Sequence, residues 1–207
     1  MSDPRTVEVL DDQLGVPVGA LTVSRSRGSE RHRFVYDPQF LRHHQSYDLD
    51  PGLPRSGAPL TGARLFGAFT GAAPDRWGRT LIDRGRAGHV FESDYLFEVH
   101  DPLRQGALRF RENGRWLNDS GIVPRIIDLP PLRALARDVV AGDPKRVHLA
   151  AKELLDVGTS ALGGAHPKVS VLGEDDTLYI AKLPPARVHR GRQSGLNSLP
   201  SRTFRLV

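Results

Sequence analysis

The stretch that decides the fold reads GTSALGGAHPKVSVL, from Gly158 to Leu172, and an acidic turn and the segment TLYIAKL, from Thr177 to Leu183, follow it. The doublet Gly163 and Gly164 precedes a run of β-branched residues, and the second segment ends beside Lys182. This pattern predicts a glycine-rich loop followed by a β-hairpin. Glycine lets the backbone approach an anion closely, and a lysine on a strand can neutralise its charge. We therefore expect a site for nucleotide phosphates here.

Other motifs with glycine-rich loops do not fit this stretch. A Walker A loop requires a lysine where Gly164 stands, and a dinucleotide fingerprint requires a preceding strand, which the sequence does not predict. A glycine-rich connection that binds nothing remains the alternative.

No GxSxG elbow is present, the histidines lack the spacing of a helical zinc pair, and there is no cysteine. We therefore predict neither a hydrolase nor a metal site.

The region before this stretch begins with an antiparallel meander. Its short β-branched or aromatic runs are VEVLDD, GVPVGALTVSRS and HRFVYD, at 7–12, 15–26 and 32–37. Three prolines and three glycines between Asp48 and Gly62 predict an ordered but irregular loop. Apolar residues at helical spacing then predict two short helices on either side of Pro74.

The segment PDRWGRTLIDR, from Pro74 to Arg84, admits two interpretations. An arginine beside Trp77 could stack on a base or recognise a carboxylate. Alternatively, Trp77 anchors a helix in the core while Asp75 begins its first turn, where a carboxylate complements the helix dipole. We favour the second, structural interpretation.

Further along, GALRFRENGRWL, from Gly106 to Leu117, predicts a hairpin in which Asn113 and Gly114 form a type I′ turn. A helix is predicted from Leu129 to Val140, with Asp128 as its cap and proline in its first turn. A second helix, Val147 to Leu155, leads to the glycine-rich loop.

Three of these segments together resemble the HipA family, the serine/threonine kinase toxins of bacterial toxin–antitoxin pairs. They are GTSALGGAHPK with YIAKL, PDRWGRTLIDR, and VHDPLRQGALRF from Val99 to Phe110, and they occur in the expected order. The resemblance covers roughly residues 7–183. It implies an α+β fold, in which a β-rich HipA N-terminal subdomain precedes an incomplete kinase-like N-lobe with the glycine-rich loop and hairpin.

The resemblance also implies the site residues. The loop would cover ATP, with Mg²⁺ in the full-length family, and Lys182 would contact the phosphates as the strand lysine of kinases does. Family members are inactivated by phosphorylation of a loop serine, and here Ala161 stands at that position with Ser160 beside it. The cofactor-binding residues implied are Ser160, Ala161, Leu162, Gly163, Gly164, Ala165, His166, Pro167, Lys168 and Lys182.

We expect three regions: residues 1–105 as the HipA subdomain, 106–183 as the partial N-lobe and 184–207 as an unstructured basic tail.

Phosphoryl transfer also needs carboxylates and an asparagine that should follow Lys182. The 25 residues after Lys182 contain five arginines and no aspartate or glutamate. We therefore expect no catalytic residue in this chain and an inactive, truncated kinase. A frameshift near Leu183 is favoured over a natural basic tail that binds nucleic acid.

Composition agrees with a soluble, cytoplasmic protein, since no signal segment or long apolar span is visible. A net charge of +5 favours acidic partners, although 24 carboxylates are interspersed among 29 basic residues.

The resemblance implies a HipB-like helix-turn-helix antitoxin as partner, DNA indirectly through it, and a separate chain carrying the catalytic lobe as a further option. An antitoxin-binding module and a basic nucleic-acid-binding protein are the alternative functions.

Overall fold

The computed structural model describes residues 3–119, 123–157 and 166–183. Within them the chain forms a six-stranded sheet, a two-stranded sheet and six α-helices. The predicted α+β class is confirmed. None of the helices in this part of the chain is both long and apolar enough to cross a bilayer.

The main sheet is antiparallel throughout and runs in the order β4-β3-β2-β1-β5-β6. Its strands are β1 (Arg5–Asp11), β2 (Val16–Ser26), β3 (Ser29–Tyr36), β4 (Leu60–Gly62), β5 (Leu108–Glu112) and β6 (Arg115–Trp116). The predicted meander corresponds to β1, β2 and β3. The edge strand β4 lies at the end of the segment predicted to be an irregular loop. Three residues are too few to show the alternation that identifies a strand in a sequence.

The β5–β6 hairpin has the predicted turn, because Asn113 and Gly114 both have positive φ, at 51° and 78°. It was expected to belong to the 106–183 region. Instead, β5 pairs with β1, and Phe110 lies opposite Val9. Both side chains are buried in the same core. The hairpin therefore completes the first sheet.

The helices are α1 (Pro38–Arg42), α2 (Gly67–Ala72), α3 (Arg76–Gly85), α4 (Glu92–Glu98), α5 (Leu129–Ala141) and α6 (Val147–Asp156). The two helices around Pro74 and the two before the glycine-rich loop are therefore confirmed. Asp128 precedes α5 but makes no capping hydrogen bond to it. Its Oδ2 accepts a hydrogen bond from the backbone N of Arg125 at 2.8 Å, so it closes a preceding 3₁₀ turn instead.

The first hydrophobic core lies between the main sheet and the helices α1, α2 and α4. Aromatic rings dominate it: Phe34 packs edge-on to Phe69 with a centroid distance of 5.3 Å, and Phe69 packs against Phe110 at 6.0 Å. Gly19 of β2 lets the strands approach, because a Cβ there would lie 2.2 Å from the carbonyl oxygen of Val35. The sheet requires glycine at this position.

The second core joins α3, α5 and α6 to the strands β7 (Lys168–Leu172) and β8 (Leu178–Lys182). Trp77 and Leu81 of α3 contribute to it, although α3 lies in the first predicted region. Gly85 permits the close contact between α3 and α6, since a Cβ there would lie 2.9 Å from Leu155 Cδ1. Helix α3 thus connects the two cores.

Candidate phosphate-binding site

The β7–β8 hairpin predicted from the sequence is present and fixes the position of Lys182. The strands are antiparallel, with Val169 opposite Ala181 and Lys168 opposite Lys182. Residues directly opposite in an antiparallel pair project from the same face of the sheet. Val169 and Ala181 belong to the second core. The face that carries both lysines is therefore the one turned away from that core.

The two lysines concentrate positive charge at one end of the hairpin. Side chains directly opposite one another have Cβ atoms about 4.5–5.5 Å apart, and like charges in this relation are destabilising. Lys182 is exposed and Lys168 is half-buried. Among the described residues, neither ammonium group has a carboxylate within 4.0 Å. An anion placed between them would relieve their repulsion.

The base of the hairpin is held in place by two hydrogen bonds. Leu183 N donates to the carbonyl of Pro167 at 2.8 Å, which extends the pairing by one step. The indole Nε1 of Trp77 donates to the carbonyl of Lys168 at 3.1 Å. The indole bond connects positions 91 residues apart. No local pattern in the sequence could have indicated it.

Most of the expected glycine-rich loop lies outside the described residues. This applies to Ser160, Ala161, Leu162, Gly163, Gly164 and Ala165. Of the remaining expected site residues, His166 is exposed and Pro167 is buried. The structure thus brings Lys168 and Lys182 together, and the predicted contact between Lys182 and the glycine doublet stays a prediction.

The helix that precedes the glycine-rich loop is α6, which ends at Asp156. A helix C-terminus carries partial negative charge and offers carbonyl groups rather than N–H groups. A Walker A loop is followed by a helix N-terminus, whereas this loop is followed by β7. The positive charge for an anion would therefore come from the two lysines and not from a helix dipole.

The PDRWGRTLIDR segment is structural, as favoured from the sequence. Trp77 is buried, and α3 begins directly after Asp75. Arg79 forms a bidentate ion pair with Glu92, with both N···O distances at 2.9 Å. Its guanidinium also lies 4.3 Å from the ring centroid of Tyr95. The Arg79 side chain is therefore engaged in contacts within the fold.

The VHDPLRQGALRF segment also has a structural role, and it contains a buried ion pair that the sequence did not indicate. Asp101 and Arg104 form a fully buried ion pair, with 2.8 Å between Oδ1 and Nε. Asp101 also accepts a hydrogen bond from Phe110 N at 3.1 Å. Burial lowers the pKa of the Arg104 guanidinium to about 10, so it stays charged at neutral pH. This pair ties the segment to the first sheet.

No group of three or more histidine, aspartate or glutamate residues with the geometry of a metal site occurs in residues 3–119, 123–157 or 166–183. His32 is buried.

Comparison with known proteins identifies part of the chain. No curated protein matches it. Residues 13–98, which run from the turn before β2 to the end of α4, match the family described as the HipA N-terminal domain. The match stops before the β7–β8 hairpin. This match supports the resemblance to the HipA family for an N-terminal portion of the chain.

Proposed function

We propose that this chain binds the phosphates of ATP between Lys168 and Lys182, as the nucleotide-binding part of a HipA-like serine/threonine kinase. The observation that carries the proposal is the direct opposition of two lysines without ion-pair partners among the described residues. The HipA N-terminal domain supplies the toxin–antitoxin context.

The physical argument rests on charge. Two ammonium groups on one face of a two-stranded sheet repel each other, and a polyphosphate offers several oxygens that can accept hydrogen bonds from both. Mg²⁺ would enter with ATP, because this ion is usually held by substrate phosphates and few protein ligands. The glycine doublet, by resemblance, would add backbone N–H donors to the same phosphates.

Transfer of the phosphate to a serine or threonine requires further groups. A carboxylate must orient the acceptor hydroxyl, and an asparagine and an aspartate must hold Mg²⁺. The proposal for this polypeptide therefore concerns the binding of ATP and not the transfer of phosphate.

Calorimetric titration of the full chain with ATP and Mg²⁺ tests the binding proposal. A hydrogen bond to a charged group contributes about 1.5–3 kcal/mol, so Lys182→Ala and Lys168→Ala should each weaken binding roughly 10- to 100-fold. The chain contains two other lysines, Lys145 and Lys152. Lys145→Ala is a matched control, because it removes the same charge from an exposed position outside the hairpin.

Adenosine provides a second control, since it lacks phosphate and its affinity should not depend on Lys182. Equal ATP affinities for the native chain, Lys182→Ala and Lys145→Ala would refute the proposal. So would equal losses for Lys182→Ala and Lys145→Ala, because that result would indicate a general charge effect. Transfer of ³²P from ATP to protein by the purified chain would contradict the expected inactivity.

A second proposal concerns the HipA N-terminal domain, which has its own sheet and core. We propose that it binds the HipB-like helix-turn-helix antitoxin of the same system. Co-expression of the chain with a small helix-turn-helix protein encoded beside it should yield a complex on size-exclusion chromatography. Separate elution at micromolar concentrations would contradict this partner.

A further inference from the structure

A cavity opens among the residues that match the HipA N-terminal domain. Its volume is about 720 Å³, which is in the range of small-molecule sites. Three segments line it: residues 28–32 at the β2–β3 turn, residues 63–65 after β4, and residues 89–92 before α4. Thr70 of α2 also contributes. The cavity therefore lies where three connections of the domain meet.

One wall of the cavity carries a buried histidine that is only partly satisfied. His32 lies on the core face of β3, and 1% of its side chain is exposed. Its Nε2 lies 3.3 Å from Glu30 Oε2, which is within ion-pair distance. Its Nδ1 has no hydrogen-bond partner among the described residues. Buried polar groups are almost always hydrogen-bonded, so the exception points to a ligand.

The acidic groups that line the cavity are already engaged by other parts of the protein. Glu30 accepts hydrogen bonds from Ser93, through both its N and its Oγ, and from Arg25 Nε at 2.9 Å. Although burial opposes its ionisation, the contacts of Glu30 with His32, Ser93 and Arg25 lower its pKa to about 2. Glu92 is held by the bidentate pair with Arg79. Both carboxylates are therefore neutralised from within.

The basic groups at the same cavity are not neutralised. Arg31 and Arg64 are exposed, and neither forms an ion pair with any residue of the described part of the chain. His89 contacts the ring of Phe91, with centroids 4.4 Å apart, and has no acidic partner there either. Arg31 and Arg64 thus give the lining of the cavity an excess of positive charge.

The remaining lining is apolar. Leu65 is buried, and Val90 and Phe91 are half-buried. The guanidinium of Arg25 lies 4.7 Å from the ring centroid of Phe91 and fixes the position of that ring. These side chains suit an apolar or aromatic body attached to the anionic group.

We propose that this cavity binds a small phosphate monoester whose ester group is apolar or aromatic. Arg31 and Arg64 bind the phosphate oxygens, His32 hydrogen-bonds the ligand, and Phe91 packs against its body. A phosphate is favoured over a carboxylate because the donors come from separate segments, and a phosphate presents more oxygens to them. The site shares no residue with the lysine pair of the β7–β8 hairpin.

Calorimetric titration of the full chain with phenyl phosphate tests this proposal. Arg31→Ala and Arg64→Ala should each weaken binding at least fivefold, and both replace exposed side chains that make no contact needed for folding. Arg133→Ala, at an exposed position of α5, removes the same charge elsewhere and should change the affinity less than twofold. Lys182→Ala should also leave it unchanged, which separates this site from the proposed ATP site.

Three further probes identify the recognised groups. Inorganic phosphate should bind more weakly than phenyl phosphate, and benzyl alcohol should not bind. Benzoate that binds as tightly as phenyl phosphate would overturn the assignment of a phosphate. Equal losses for Arg64→Ala and Arg133→Ala would overturn the site itself. The ¹⁵N shifts of the His32 ring should change on addition of phenyl phosphate, and unchanged shifts at saturation would exclude its role.

Discussion

Replacing Arg104 with methionine should destabilise the first hydrophobic core and its sheet more than any comparable change at the surface. The Arg104 guanidinium donates to Asp101 Oδ1 at 2.8 Å and to the carbonyls of Ala72, Leu96 and Val99 at 2.8, 3.0 and 3.3 Å. These partners lie in or beside α2, α4 and the turn that follows α4. One side chain therefore connects several parts of the domain.

The magnitude follows from the burial of the pair. Methionine fills a similar volume but leaves the Asp101 carboxylate buried without its cation. Removing one partner of a buried ion pair costs about 3–5 kcal/mol, out of a total stability of about 5–15 kcal/mol. With a slope near 2 kcal/mol per molar urea, the unfolding midpoint should fall by about 2 M.

Urea unfolding monitored by tryptophan fluorescence measures this effect. Arg111→Met is the matched control, because Arg111 pairs with Glu8 at 2.6 Å but 35% and 52% of these two side chains are exposed. An exposed pair contributes about 0–1 kcal/mol. If Arg104→Met lowers the midpoint no further than Arg111→Met does, the reasoning from burial is refuted.

The Arg104→Met defect should also depend on pH. Burial raises the pKa of Asp101, and Arg104 is the main group opposing that rise. Without Arg104 the folded-state pKa rises further above the unfolded value. The loss of stability in Arg104→Met is then largest above the folded-state pKa of Asp101. It becomes smaller at lower pH, where the Asp101 carboxyl group is protonated. A defect that stays constant between pH 4 and pH 8 would contradict this account.

Three other substitutions test separate contacts. Gly19→Ala should lower the free energy of unfolding in urea by about 1–3 kcal/mol, because the new Cβ would clash with the backbone of the adjacent strand. Gly71→Ala in α2 is the control, since a Cβ there meets no other atom and the change should be neutral or stabilising. Glu30→Gln should lower the free energy of unfolding above about pH 4.5, where the Glu30 carboxylate stabilises the fold. This contribution is lost as the pH falls towards 2, so plots of the free energy of unfolding against pH for the native chain and the variant should converge in acid. Trp77→Phe should lose about 0.5–1.5 kcal/mol and speed hydrogen exchange in the strand that begins at Lys168, and unchanged exchange there would show that the indole bond does not hold the hairpin.

Much of the fold could be predicted from local patterns. Alternating apolar residues gave the meander, and the doublet Asn113 and Gly114 gave the turn, because a type I′ turn needs positive φ at two successive residues. Apolar residues three and four apart gave the helices α3, α5 and α6. In each case the signal lies within a few residues, so a single sequence carries it.

The candidate site was predictable only in part. Lys182 could be placed at the end of a strand, and Lys168 near the start of the preceding one. Their direct opposition depends on hairpin register, which is set by the turn and by the buried face containing Val169 and Ala181. The cavity beside His32 could not be predicted, since its lining residues come from separate segments of the chain.

Local patterns were sufficient to predict most of the longer helices and strands, the α+β class and the resemblance to HipA proteins, because propensity, turn chemistry and motifs are local properties. Tertiary structure alone decided that β5 pairs with β1, that Trp77 serves the second core, and that Arg104 is buried beside Asp101. These contacts join residues that are remote in sequence or depend on burial. The free energies of these contacts depend on the exclusion of water. Which side chains are buried together follows from the tertiary fold and cannot be identified from local sequence patterns.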